Sequence, residues 1–397
     1  MKILLIHNYY RYRGGEDRYM DILTDALQQK GHVVTQFLSD SQDIHHFTFW
    51  QKIMIPMHLI SAPTLDKKLA QVINDDKPDI AIVHNLFPLF SLSLLKVLKQ
   101  KGVPVLKRLE NYKFLCLNGL FLKNNFQVCE SCKQGNFLPG IFRRCYQRSF
   151  FNSLGIALSE FIHRWKKTAL RNTTHFLASS QFVKSKFVDA DFPAAMISVF
   201  PNFLDFEPLT APVAAEDYVV YIGRLSQEKG LFTLLKAMRT MPELTLHILG
   251  NGPLEDDLKK FVAMNQMNHV IFHGFVDGLA KQEILQKALF LIFPSECYES
   301  FGYAVIESYA CGVPVLASDL GGARELVKNG ATGALFTPGD PDSLRHEIAL
   351  LRLNDSLKTE MRVRALQKAH AFYTKKMGIQ KIEALLQGMV HGKENLP

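Results

Sequence analysis

The sequence lacks the long apolar runs that would place it in a membrane. None of its runs approaches the roughly 18 consecutive apolar residues that a membrane-spanning helix needs. The first run, from Met1 to Ile6, is interrupted by His7 and Asn8, so it predicts a buried first strand and not a secretion signal. We therefore expect a cytoplasmic protein, with at most a peripheral contact on the inner face of the cytoplasmic membrane.

Internal repeats, low-complexity tracts and known nucleic-acid-binding motifs are also absent. The 397 residues are 47% hydrophobic and 21% charged, a composition typical of a globular protein with substantial cores. The length exceeds one ordinary core and predicts two domains. Residues 1–200 carry 26 Lys and Arg against 15 Asp and Glu, although the net charge of the whole chain is only +8. Without a nucleic-acid motif, this basic half indicates a membrane or phosphate partner, and we expect no nucleic acid.

Strand-length apolar runs alternate with helix-length amphipathic segments along most of the chain, which predicts an α/β fold with parallel sheets. A stretch rich in proline and small residues at 206–216 interrupts this pattern and predicts an interdomain linker. We therefore expect an N-terminal domain at 1–205, with a cysteine-containing insert at 110–150, and a second domain at 217–375. Residues 376–397 are expected to form a final helix and tail.

Two carboxylates, Glu299 and Glu307, lie eight positions apart around a glycine-containing loop that follows an apolar run. A loop carboxylate, the free backbone N–H groups near Phe301 and Gly302, and a second carboxylate on the following helix could hold two hydroxyl-bearing groups with a phosphate between them. A nucleotide-sugar has this chemistry. For an isolated pair of glutamates, two solvated side chains would be the simpler interpretation.

Basic residues and glycines follow two other predicted strands. Arg224 and Lys229 occupy one loop at the carboxyl end of a strand, where open α/β sheets bind ligands. Arginine can form a forked pair of hydrogen bonds to phosphate, and lysine supplies a point charge. A second strand-to-helix turn contains Gly250 and Gly252. Each of these signals is weak by itself.

Taken in order, these pieces resemble the donor domain of the retaining family 4 glycosyltransferases, within the glycosyl transferases group 1. The resemblance extends over about 216–375 and rests on the order and spacing of several motifs. The motifs are Gly-Arg-Leu-Ser-Gln-Glu-Lys-Gly from 223, Gly-Asn-Gly-Pro from 250, Gly-Phe-Val from 274, Glu-Ser-Phe-Gly from 299 with Glu307, Gly-Val-Pro-Val from 312, and Gly321-Gly322 with Glu325. The family's architecture is GT-B, in which two Rossmann-like domains face each other across a cleft and the C-terminal helix crosses back to the first domain.

The resemblance implies a metal-independent hexosyltransferase that needs no cofactor for catalysis. Its implied substrates are a nucleoside diphosphate sugar and a saccharide or lipid-linked acceptor, as in the synthesis of lipopolysaccharide or cell-surface polysaccharide. Arg224 and Lys229 would neutralise the departing diphosphate, Glu299 would hold sugar hydroxyls, and Glu307 would hold the ribose. The remaining implied donor contacts are backbone positions at Gly14, Gly15, Gly223, Gly252, Phe301 and Gly302.

One position departs from the family pattern. Many relatives carry a histidine in the first domain where this chain has Glu110. Glu110 could replace that histidine as a catalytic residue, or another residue such as His84 could serve instead. Two alternative functions therefore stay open, a nucleotide-sugar-binding protein without transferase activity and a nucleotide-sugar epimerase or hydrolase on the same fold.

Four of the six cysteines lie in the insert with the spacing C-x12-C-x2-C-x12-C, at Cys116, Cys129, Cys132 and Cys145. Thiolate zinc sites use spacings of this kind, so a structural zinc is one interpretation, and a set of free packed thiols is the other. Basic and aromatic residues alternate from about 142 to 171. This pattern suits a helix on an anionic membrane surface, although an ordinary helix with a buried apolar face would also explain it.

Overall fold

A computed structural model describes residues 1–11 and 14–392. Its first sheet is parallel throughout and has the strand order β2-β1-β3-β4-β5-β6. Its second sheet is also parallel, with the order β12-β11-β10-β7-β8-β9. The strands are β1 (Lys2–Tyr9), β2 (Val33–Asp40), β3 (Ile80–Val83), β4 (Val105–Leu109), β5 (His175–Ala178), β6 (Ile197–Val199), β7 (Tyr218–Ile222), β8 (Thr245–Leu249), β9 (Val270–Gly274), β10 (Phe290–Phe293), β11 (Val315–Ser318) and β12 (Gly333–Phe336).

Helices connect these strands, as parallel pairing requires. They are α1 (Gly15–Gln29), α2 (Phe49–Ile60), α3 (Pro63–Asp76), α4 (Ser93–Gln100), α5 (Leu138–Phe142), α6 (Phe150–Trp165), α7 (Thr168–Asn172), α8 (Gln181–Val188), α9 (Leu231–Met238), α10 (Glu255–Met264), α11 (Gly278–Gln286), α12 (Tyr303–Ala310), α13 (Ala323–Leu326), α14 (Pro341–Arg352), α15 (Asp355–Phe372) and α16 (Lys375–Val390). The alternation of strands and helices confirms the predicted α/β class.

The chain forms two compact units, each built on one sheet. The first unit contains Met1–Pro201 together with the chain from Ile379, and the second contains Asn202–Gly378. Residues 206–216, which we predict as the linker, contain neither helix nor strand and lie within the second unit. In the first unit, Glu383 on α16 lies 2.8 Å from the His32 ring. The return of the C-terminal helix to the first domain is therefore confirmed.

The central strands are buried on both faces, which explains their continuous apolar sequences. Every residue of β3, β4, β5, β10 and β11 is buried. In the second unit, side chains from β7, β8 and β10 pack with the apolar faces of α9 and α14 into one core. These rigid cores hold the loops at the carboxyl ends of the strands, and those loops carry most of the predicted site residues.

The sequence patterns did not predict β6 and β12, each of which lies at one edge of its sheet. They are only three and four residues long, which is too short for a clear periodicity. The insert at 110–150 contains turns, the short helix α5 and an isolated antiparallel bridge between Leu122 and Val128. Within residues 1–11 and 14–392, every helix is too short or too polar to span a lipid bilayer.

Candidate functional site

Three predicted site residues form one cluster at the carboxyl ends of two neighbouring strands. Arg224 follows β7, Glu299 follows β10, and these two strands pair in the second sheet. Lys229 Nζ donates a hydrogen bond to Glu299 Oε1 at 2.5 Å, and Ser295 Oγ donates to the same oxygen at 2.6 Å. Arg224 Nη2 donates to Glu228 Oε1 at 2.6 Å. The loop after β7 therefore presents two cations beside a carboxylate from the loop after β10.

The electrostatics of this cluster keep both cations charged. Burial opposes the charge of Arg224, but the carboxylates of Glu228 and Glu299 raise its pKa above the ordinary value. Burial likewise opposes the charge of Lys229, and Glu299 raises the pKa of that lysine. The side chains of Arg224 and Lys229 are 32% and 22% exposed, so an anion can still reach them. Glu228, which the sequence patterns did not single out, balances this charge.

Glycines let the loops after β7 and β8 pack backbone against backbone. A Cβ atom at Gly250 would lie 1.9 Å from the carbonyl oxygen of Gly223, and one at Gly252 would lie 2.5 Å from that of Leu225. Leu225 N also donates to the carbonyl oxygen of Asn251 at 2.9 Å. Gly250 and the predicted position Gly252 therefore have a packing role, because they let the loop after β8 hold the Arg224 loop in place.

The loop that carries Glu299 is supported in the same way and leads into a helix. Gly322 N donates to the carbonyl oxygen of Glu299 at 2.7 Å, and a Cβ atom at Gly321 would lie 2.7 Å from Glu299 N. Gly302 has a φ of 109° and caps α12, while Phe301 is buried. The first N–H groups of a helix have no partner within the helix, so this end of α12 can accept an anion.

Glu307 lies in a different set of contacts from Glu299. It is buried on α12, and its Oε1 accepts a hydrogen bond from Lys281 Nζ on α11 at 2.7 Å. Lys281 also forms an ion pair with Asp277 at 3.0 Å. The predicted ribose-holding carboxylate is therefore part of a buried ion pair. Lys281 was not predicted, because its partner is 26 positions away in sequence.

In the first unit, Glu110 and His84 are partners. His84 follows β3 and Glu110 follows β4, two adjacent strands, and His84 Nδ1 lies 3.1 Å from Glu110 Oε2. Arg108 Nη2 donates to the other oxygen, Oε1, at 2.8 Å. Burial opposes ionisation of Glu110, but Arg108 and His84 lower its pKa to about 2. Burial lowers the pKa of His84 to about 4, so at neutral pH a carboxylate orients a neutral imidazole.

Gly14 and Gly15 lie exposed at the beginning of α1, where a Cβ atom at Gly14 would meet no atom within 4 Å. Beside them, Glu16 Oε2 accepts hydrogen bonds from Tyr10 OH at 2.9 Å and from Asn111 Nδ2 at 3.3 Å. Burial, together with the nearby charge of Glu110, raises the pKa of Glu16 to about 7. Glu16 was not predicted as a site residue, although it directly follows the predicted glycine pair.

The four cysteines of the insert are free thiols. Burial and the nearby thiols of Cys116, Cys145 and Cys129 raise the pKa of Cys132 to about 12. Backbone N–H groups are directed at the sulfur atoms of Cys116, Cys129 and Cys132. Within the described part of the chain, however, no group of three or more His, Cys, Asp or Glu side chains is arranged to hold a metal ion.

A small cavity of about 40 Å³ lies in the first unit behind α2 and α6. Leu59 of α2 and Glu160 of α6 line it, together with Lys107 and Lys113. Burial lowers the pKa of each of these lysines to about 8. The cavity lining therefore mixes apolar side chains with two lysines and a carboxyl group, and its volume suits about one water molecule.

Known proteins resemble both the second unit and the whole chain. Residues 210–370 match the family described as glycosyl transferases group 1. An uncharacterized glycosyltransferase of Methanocaldococcus jannaschii is 24% identical over 391 residues, covering 96% of this chain and 97% of that protein. A phosphatidyl-myo-inositol mannosyltransferase of Mycobacterium leprae is 28% identical over 208 residues, which cover 51% of this chain and 50% of that protein.

Among solved structures, Anabaena HepE in complex with UDP-glucose has a TM-score of 0.69 to this chain at 19% identity, covering 98% of this chain and 100% of that one. The two six-stranded parallel sheets and this likeness define the fold, which is GT-B. The chain is a glycosyltransferase, and residues 210–370 are its glycosyl transferases group 1 domain. The predicted fold is confirmed, and so is the prediction that the chain is a glycosyltransferase.

Proposed function

We propose that this glycosyltransferase transfers a hexose from a nucleoside diphosphate sugar to a saccharide or lipid-linked acceptor, retains the configuration at the anomeric carbon, and needs no metal ion. The observation that carries the proposal is the cluster of Arg224, Lys229 and Glu299 at the carboxyl ends of β7 and β10. Nucleotide-sugar use is further supported by the UDP-glucose complex of HepE.

The cluster suits the departure of a diphosphate. In the proposed reaction, the bond between the anomeric carbon and the phosphate oxygen breaks, and its electron pair leaves with the diphosphate. Arg224 and Lys229 stabilise that developing charge, which is usually the largest catalytic effect. The acceptor hydroxyl oxygen forms the new bond on the same face of the sugar, and its proton passes to the departing phosphate. Two partly exposed cations in one loop supply the charge that a divalent metal would otherwise supply.

A lipid-linked acceptor is supported by the similarity to the phosphatidyl-myo-inositol mannosyltransferase of Mycobacterium leprae, which is 28% identical over 208 residues. We therefore place the reaction in the synthesis of lipopolysaccharide or another cell-surface polysaccharide.

Acceptor-dependent release of nucleotide tests this function. The purified protein is screened with nucleoside diphosphate sugars by thermal shift, since a ligand at 100 times its Kd adds about 2.7 kcal/mol of stability. The stabilising donor is then incubated with saccharide and lipid-linked acceptors, with and without added magnesium or manganese. Release of nucleotide only with an acceptor, unchanged by the added cation, is the expected result. Tight binding without turnover indicates a binding protein, and turnover without an acceptor indicates a hydrolase or an epimerase.

Lys229→Ala tests the proposed charge stabilisation. We expect kcat to fall by about 10²–10³-fold, the usual cost of removing one group that stabilises charge in the transition state. Lys259→Ala is the matched control, because Lys259 forms an exposed helical ion pair with Glu255. Equal activities of the two variants would contradict the assigned role of Lys229.

We also propose that Cys116, Cys129, Cys132 and Cys145 bind one structural zinc ion. Their spacing and the backbone N–H groups directed at three of the sulfurs support this proposal. The thiols would have to move together to form a tetrahedral site. Elemental analysis of protein purified with zinc should give about one zinc per chain, and none in Cys129→Ser with Cys132→Ser. Cys297→Ser is the control, and the absence of zinc from the unaltered protein would contradict the proposal.

A further inference from the structure

The first unit exposes an apolar stripe along α6. Its members are Phe151, Leu154, Leu158, Phe161 and Trp165, which repeat at intervals of three and four residues and so lie on one face of the helix. Phe151 is 80% exposed and Trp165 is 74% exposed. A surface helix normally buries its apolar face. This helix buries a second face, with Ile156 and Ala157 in a core, so the exposed stripe is additional to the one that folding requires.

Helix α2 carries a similar stripe and packs beside α6. Trp50, Met54 and Met57 are exposed at spacings of four and three. Gly155 of α6 meets Pro56 of α2, where a Cβ atom would lie 2.7 Å from the proline ring. The two stripes therefore lie on adjacent helices of one unit. We call them together the α2–α6 surface. Several large apolar side chains exposed on neighbouring helices mark an interaction site.

Exposed basic residues flank α6 along the chain. Arg144 and Arg148 precede α6, Lys166 and Arg171 follow it, and all four are exposed. Residues 101–171 carry 13 Lys and Arg against 3 Asp and Glu. A second copy of the chain would bring the same positive charge against itself, whereas an anionic lipid bilayer is complementary.

We propose that the α2–α6 surface docks the protein on an anionic bilayer, with the two apolar stripes in the interfacial region and the flanking cations on lipid phosphates. The inference goes beyond the proposed transfer reaction, and it does not depend on which donor or acceptor the protein uses.

Trp50 and Trp165 make this proposal directly testable, because they are the two tryptophans of the chain. The intrinsic tryptophan fluorescence therefore reports on the proposed surface alone. Full-length protein is titrated with vesicles of phosphatidylglycerol and phosphatidylethanolamine, and separately with phosphatidylcholine vesicles. We expect a blue shift, quenching by brominated acyl chains and co-sedimentation with the anionic vesicles, and weak binding to phosphatidylcholine.

Two variants separate the apolar and the charged contributions. Phe151→Ser with Leu158→Ser should lower vesicle binding at least tenfold without changing thermal stability, because both side chains are already exposed. Arg148→Gln, Lys166→Gln and Arg171→Gln together should lower binding to anionic vesicles about 100-fold, from about 1 kcal/mol for each charge. Leu353→Ser, at an 87% exposed leucine of the second unit, is the matched control.

Several results would overturn the proposal. Equal binding to both vesicle types, or binding that survives the Phe151→Ser and Leu158→Ser changes, would remove its basis. A concentration-dependent dimer that these changes abolish, without vesicle binding, would identify a second copy as the occupant. Vesicle binding is measured without donor, so a protein that binds vesicles but transfers no sugar would refute the proposed function and leave this surface in place.

Discussion

At the residue scale, the behaviour of Glu110 depends on its two buried partners, Arg108 and His84. Both carboxylate oxygens are in use, and the side chain is 3% exposed. A carboxylate in this position is poorly placed to contact a substrate and well placed to orient His84. The sequence offered Glu110 and His84 as alternatives, whereas the fold brings them together because β3 and β4 are adjacent. Glu110 is therefore better described as a positioning residue than as a catalytic residue.

The Glu110→Gln variant tests this description. Breaking one side of a buried ion pair costs about 3–5 kcal/mol, because the charge of Arg108 is left uncompensated. The folded pKa of Glu110 is about 2, below its value in the unfolded chain, so its contribution is complete above about pH 4.5. That contribution is lost as the pH falls from about 4.5 to about 2, and the variant should lack this loss.

Urea unfolding at pH 7 and at pH 3 measures both effects. Glu360→Gln is the control, because it removes an exposed helical ion pair with Arg364 that is worth at most about 0.5 kcal/mol. A Glu110→Gln protein as stable as the control at pH 7 would show that the buried pair contributes nothing net. A kcat/KM profile against pH that changes with Glu110→Gln, beyond the loss of stability, would support a role in setting the state of His84.

At the element scale, the loop after β7 is held by its contact with the loop after β8. In Gly252→Ala, the new Cβ atom would lie 2.5 Å from the Leu225 carbonyl oxygen and 2.6 Å from Leu225 N, and backbone atoms cannot move aside cheaply. We expect a loss of about 1–3 kcal/mol in the free energy of unfolding, with weaker donor binding because Arg224 is displaced.

Denaturant unfolding and donor titration measure these two effects. Asn251→Ala is the matched control in the same loop, since the Asn251 side chain is exposed and its backbone contact with Leu225 N is kept. That change should alter stability by less than about 0.5 kcal/mol. A Gly252→Ala protein with normal stability and donor affinity would mean that the two loops can separate without consequence.

Helices and strands could be predicted from the sequence where their apolar patterns are long and continuous. The apolar run at 218–222, which lies between Asp217 and Gly223-Arg224, coincides with β7 at both ends. The same reasoning failed for the edge strands β6 and β12. The family resemblance implied that Arg224, Lys229 and Glu299 share one donor site, and the fold brings them together because the strands before them are neighbours in a parallel sheet. The sequence could not predict the pairing of Glu307 with Lys281, which depends on how α11 packs on α12.

At the scale of the whole molecule, the first unit is discontinuous in sequence and the second is continuous. The first unit is completed by α16, whose residues Ile379, Ile382, Leu385, Leu386 and Met389 are buried. The second unit has its own core within Asn202–Gly378. The stability of the first unit should therefore depend on the end of the chain, and that of the second should not.

Deletion of residues 379–397 tests this dependence. Burial of each large apolar side chain contributes about 1.5–3 kcal/mol, so five of them approach the whole stability of a typical domain, about 5–15 kcal/mol. We expect limited proteolysis with mass spectrometry to show rapid cleavage within 1–201 and a protected fragment near 202–378. Deletion of residues 393–397 is the control, and Leu386→Asp in the full chain should reproduce the effect if the truncated protein cannot be purified. Equal protection of both units, or simultaneous loss of protection in both, would contradict this expectation. Either result would mean that the two units unfold together and share the cost of removing α16.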